Sequence, residues 1–127
     1  MKFTSVIVAA ATLFSSSAFA GKFNCGVFLD EDDKPTATAI FDTSSGTRTT
    51  MQAGDFVGFV QVNKKANEMD DDSILLIGAV AKDKTVSVAG YPMISEMMVS
   101  LLKVSSGKQA ITTCVAGSAE LIRPAGI

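Results

Sequence analysis

The ten residues from Ser73 to Lys82 hold Ile74, Leu75, Leu76, Ile77, Ala79, Val80 and Ala81, with only Gly78 interrupting them. A run of this length is either a strand buried on both faces or a buried helical segment, and periodicity alone does not separate the two. Composition favours the strand. Ile and Val carry branched side chains that suit a pleated surface. Gly78 would weaken a helix by about 1 kcal/mol relative to Ala. The run is followed by Asp83-Lys84 and then by the alternating segment Thr85-Val86-Ser87-Val88. This predicts a central strand turning into an antiparallel partner that ends near Gly90, with Pro92 breaking the ladder.

The flanking segments keep the same cadence. Phe23, Cys25, Val27 and Leu29 alternate with Asn24, Gly26 and Phe28, as in a strand. Asp30 to Pro35 reads as a turn. Thr36 to Phe41 is a second strand, and Thr43-Ser44-Ser45-Gly46 is turn chemistry. Thr47 to Gln52 is a more polar strand suited to an edge. Phe56 to Val62 is apolar on both faces, which predicts neighbours above and below it. Asn63 to Asp72 is a polar loop. Met93 to Val104 has two readings. Ile94, Met97, Met98, Leu101 and Leu102 form one face of a helix over 93–103 capped by Gly107. Alternatively, Met97 to Val104 and Gln109 to Ala116 form a hairpin around Ser105 to Lys108, which agrees better with the rest of the chain. Ala119 to Ile122 could add a short strand before Pro124. Turn signals every 8 to 12 residues predict an all-β fold, a small antiparallel sandwich or barrel of about eight strands with sequential connections.

The chain of 127 residues divides in two. Met1-Lys2, the apolar stretch Val6 to Phe14 and the small residues Ala18-Phe19-Ala20 have the pattern of a secretory signal peptide cleaved after Ala20. The apolar stretch is short for a bilayer of about 30 Å. No stable membrane insertion is expected after cleavage, and the destination is the periplasm or the exterior. Lys22-Phe23-Asn24 before Cys25 lacks the small apolar residues of a lipid-attachment site. Residues 21–127 form one domain, long enough to build a single core. They carry 10 of the 11 basic residues and all 13 acidic ones, a net charge of −3, with no basic cluster. Nucleic acid is therefore not an expected partner.

An exported chain with two cysteines predicts one intramolecular bridge, Cys25 to Cys114. The Cα atoms must then lie about 4.4 to 6.8 Å apart. That requires the first and last long strands to be sheet neighbours or to face each other across the core. Closing so long a loop stabilises by about 4 to 5 kcal/mol on the chain-entropy account.

Chemistry-bearing residues are sparse. Histidine is absent, which removes the commonest general base and metal ligand. Bridged cysteines supply no thiolate. No glycine-rich phosphate loop is present. No catalytic, cofactor-binding or metal residue is assigned, and no enzyme is expected. Two acidic clusters, Asp30-Glu31-Asp32-Asp33 and Glu68 with Asp70-Asp71-Asp72, could hold calcium if they met at one end of the fold; otherwise they are solvated turns. Met93, Met97 and Met98 could offer thioethers to cuprous copper, or fill gaps in packing. Five Phe, one Tyr and no Trp in residues 21–127 leave little for an aromatic sugar platform. Tyr91, beside Pro92, is the aromatic best placed for a contact surface.

The expected function is that of a noncatalytic exported β domain, binding another protein or packing into a cell-envelope structure. The alternatives are a small inhibitor of an envelope-directed hydrolase such as a lysozyme or protease, its acidic loop complementing a basic cleft, and a calcium-binding β domain.

Overall fold

The computed structural model describes residues 21–63, 74–92, 95–117 and 119–125. The leader 1–20, the second acidic cluster and Met93 lie outside them. Eight antiparallel strands run in chain order: β1 (Lys22–Leu29), β2 (Ala37–Asp42), β3 (Arg48–Ala53), β4 (Phe56–Asn63), β5 (Ile74–Ala81), β6 (Val86–Pro92), β7 (Met97–Lys103) and β8 (Gln109–Ala116). They form two four-stranded sheets, β2-β1-β8-β7 and β3-β4-β5-β6. This is the all-β sandwich that the cadence of the sequence predicts.

Turn chemistry sets the register. Ala53 pairs with Phe56 across a two-residue loop, and Gly54 takes the positive φ of 59° that such a loop needs at its first position. Ala81 accepts from Lys84 and donates to Thr85 around the β5–β6 turn, where Lys84 has φ 74°. β5 is an interior strand of its sheet, and β3 lies at the edge, each where its polarity predicts. The helix reading of 93–103 is overturned, because Met97 to Lys103 pair with β8 from Val115 to Gln109. The expected strand at Ala119 to Ile122 does not form; these residues pair with no neighbour in a ladder.

The ladder order makes the sandwich a flattened, sequentially wound barrel. Each strand pairs with its chain neighbour except at β2/β3 and β6/β7, and β1 pairs with β8 to close the circuit. At the β6/β7 seam side chains replace the missing ladder. Tyr91 Oη donates to Val99 O at 2.6 Å and accepts from Val99 N at 3.1 Å. Ser87 Oγ donates to Leu101 O at 2.9 Å and lies 3.0 Å from Ser100 Oγ.

Cys25 and Cys114 are direct partners in the β1–β8 ladder and form the expected disulfide. Their Cα atoms are 4.0 Å apart. This is closer than the expected range because they occupy a non-hydrogen-bonded position of an antiparallel pair, where opposed Cα atoms come nearest. The bridge points into a core built from Phe23, Val27, Phe41, Met51, Phe56, Val60, Leu75, Ile77, Met98 and Leu102. Thr112 lies on the same inward face, its hydroxyl buried and without a hydrogen-bond partner among the described residues.

Candidate functional site

β4 and β5 were expected to be buried on both faces, and here the structure departs from the sequence. Their inward residues, Phe56, Val60, Val62, Leu75, Ile77, Ala79 and Ala81, are buried. Their outward residues Val57, Leu76 and Val80 are only half-buried, and Ile74 is 37% exposed. In a two-layer sandwich each sheet has one partner, so the outward row of an apolar strand meets no second layer. The register extends this row onto β6. Val86 pairs with Val80, Val88 with Gly78 and Gly90 with Leu76. Val86 and Val88 are 53% and 52% exposed.

Two glycines shape the surface. Gly78 leaves room for the Phe59 ring, and a Cβ there would also collide with the backbone carbonyl of Ser87. Gly90 lies under Leu76 and Ile74. The guanidinium of Arg48 sits over the Phe59 ring, 5.1 Å from its centroid, and donates to Gln61 Oε1 at 3.1 Å. Arg48 and Gln61 thus mark the polar border at one corner. At the opposite end the face runs into a shallow depression of about 380 Å³ lined by Val57 and Val80, with Gln52, Asp55 and Lys82 around it. Asp55 is paired with Lys108 at 3.8 Å, both side chains well exposed. Between these borders no outward position of β4, β5 or β6 carries a charge. Sheet faces turned to water ordinarily alternate with polar side chains, and contiguous apolar patches mark contact surfaces. The signal for this face was present in the sequence as strands apolar on both sides; its exposure follows only from counting the layers.

The residues singled out by sequence fare differently. Asp30 to Asp33 form an exposed turn between β1 and β2. Asp30 Oδ1 accepts from Gln109 N at 3.1 Å, and Asp32 O accepts from Arg123 Nη1 at 3.0 Å. Both contacts serve to fasten the turn to β8 and to the chain beyond it. Among the described residues no three His, Cys, Asp or Glu side chains converge as metal donors. Met97 and Met98 are neighbours on a strand, so they point to opposite faces. Met98 is fully buried in the core and Met97 is 44% exposed, so they do not form one sulfur cluster. Tyr91 is not a free contact aromatic, because its hydroxyl is used twice at the β6/β7 seam.

The disulfide, and the absence among the described residues of any helix long and apolar enough to cross a membrane, are compatible with an extracytoplasmic protein. No family model, no curated protein and no solved structure matches the chain.

Proposed function

We propose that the chain is a noncatalytic, exported β domain that binds another protein of the cell envelope, and that the outer face of β4, β5 and β6 is its contact surface. The observation that carries this reading is the uncharged row of Val57, Leu76, Val80, Val86 and Val88, half-buried or exposed on a sheet whose other side is already packed. Covering such a row removes apolar area from water at about 25 cal/mol per Å². The rigidity of a paired sheet keeps the ordering cost of association low. The bridge between β1 and β8 suits an oxidising compartment, and the leader expected at 1–20 supplies the route.

The test compares the oxidised protein with a Val86→Lys/Val88→Lys variant of equal melting temperature. Both are used to capture partners from the native envelope, and the captured protein is then purified and rebound. The expected result is a 1:1 complex with the unmodified chain, weakened at least tenfold by the two lysines. Equal capture by both forms would remove this face from the function. Dose-dependent loss of lysozyme activity, unaffected by the lysines, would move the contact to the acidic β1–β2 turn.

A further inference from the structure

The other sheet carries a second surface that the proposed function does not use, and it holds an occupant. The segment 119–124 follows β8 and lies along the outer face of β1. Asn24 Nδ2 donates to Ala119 O at 3.1 Å. The Leu121 side chain occupies the space above Gly26, where any Cβ would collide with it, and Pro35 and the Ala37 carbonyl wall the same space. Arg123 Nη1 donates to Asp32 O at 3.0 Å, beyond the end of β1. Pro124 is buried. The segment therefore passes from Asn24, across Gly26, to the turn after Leu29. Phe28, which lies between these contact points, is fully buried although it faces outward. Thr113, paired with Gly26 on β8, is likewise fully buried on this face.

This arrangement is a peptide in a seat. The occupant is extended and enters no ladder. It is held at three places: an aliphatic side chain over a glycine, a guanidinium on a turn carbonyl, and a buried proline. Ile122, between the first two, points away and is 60% exposed. The seat belongs to β1, β2 and their turn, while the segment follows the end of β8, where Gly117 turns the chain with φ 69°. Nothing in the chemistry of the seat distinguishes this copy's segment from that of another copy.

We infer that the outer groove over Gly26 is a binding site for the 119–124 segment in trans, so that two copies of this chain can exchange these segments and form a swapped pair. Exchange creates no contact that the single copy lacks, which makes it a low-cost route to association. A short tether holds the segment at an effective concentration of about 1 mM. If the seat is nine-tenths filled in cis, the free segment binds with a dissociation constant of about 100 µM or tighter.

Two full-length, oxidised variants separate seat from segment. Gly26→Val fills the seat and leaves the segment intact. Leu121→Asp disables the segment and leaves the seat open. Sedimentation velocity on each alone at a few hundred micromolar should show monomer. Their equimolar mixture should show a heterodimer, because the segment of the first fits the seat of the second. A mixture that sediments as the two monomers, or dimers formed equally by each variant alone, would overturn the inference. If either variant fails to fold, the unmodified chain is titrated with a free peptide of residues 119–125. The amides of Leu121, Ile122 and Arg123 in the chain should move toward their free-peptide positions at millimolar peptide as it displaces the tethered segment. Absence of any shift at ten times that concentration would overturn the inference equally.

Discussion

β1 and β8 are buried on both faces, whereas β4 and β5 are buried on one. From sequence the ranking is the reverse. β1 carries Asn24, Gly26 and Phe28 on its outward face and β8 carries Gln109, Ile111, Thr113 and Val115, while β5 carries Ile74, Leu76 and Val80. The difference lies in what crosses each face. Segment 119–124 lies over β1, and the absence of a side chain at Gly26 is what allows Leu121 to settle there. The second sheet keeps the row across β4, β5 and β6 at the surface. Apolar residues on both sides of a strand thus report a demand for cover; whether the chain meets that demand itself depends on a third element.

The largest effect expected from breaking this contrast is at the bridge, which ties together the two strands of the covered sheet. Replacing Cys25 and Cys114 by Ala should cost about 2 to 5 kcal/mol in denaturant unfolding. Hydrogen exchange in the double variant should rise more in β1 and β8 than in β4 and β5. Uniform acceleration would mean that the two sheets unfold as one unit.

A smaller effect should follow from shortening one side chain on each outer face. Leu121→Ala uncovers Gly26 and should cost about 1 to 2 kcal/mol, below the range for a fully buried Leu because Leu121 is half-buried. Val88→Ala on the other face removes a side chain that is half in water and should change stability by no more than about 0.5 kcal/mol. Equal losses at the two positions would show that the second face is covered in solution.

The smallest effect concerns acid. The Ser44 hydroxyl and amide both donate to Asp42 Oδ1, at 2.7 and 2.9 Å, and hold its carboxyl below the ordinary value of 3.8. The Thr85 hydroxyl and amide do the same for Asp83 in the β5–β6 turn. A carboxyl depressed in the folded state contributes stability that is fully present above its ordinary value and is lost as pH falls through its folded value. Melting temperature should therefore decline slightly below about pH 4, one step from each sheet's turn. Ser44→Ala removes the hydroxyl but keeps the amide, so it should raise the Asp42 pKa part of the way toward 3.8 in a carboxyl-resolved titration while leaving Asp83 unmoved.

Much of this could be read from residue order. The alternation of Phe23, Cys25 and Val27, the turn residues Thr43 to Gly46 and the run from Ile74 to Ala81 are local signals, and each became the predicted strand or turn. The pairing of Cys25 with Cys114 was also legible, because two cysteines in an exported chain leave one intramolecular choice. The segment at Met97 to Lys103 was ambiguous for a physical reason: Met98 and Leu102 satisfy both a helical and a strand spacing, and only pairing with β8 resolves them. Tyr91 was misread as a contact aromatic because a hydroxyl bound to a backbone eight residues away leaves no local trace.

By itself the sequence determined the strands, their turns and the covalent closure of the chain, since these depend on side-chain alternation, backbone conformation and cysteine count within short windows. Tertiary structure alone decided which side of each strand meets water. That choice depends on how many layers the fold stacks and where the segment after β8 comes to rest. Both are long-range outcomes, fixed by Leu121 finding Gly26 across 95 positions of chain.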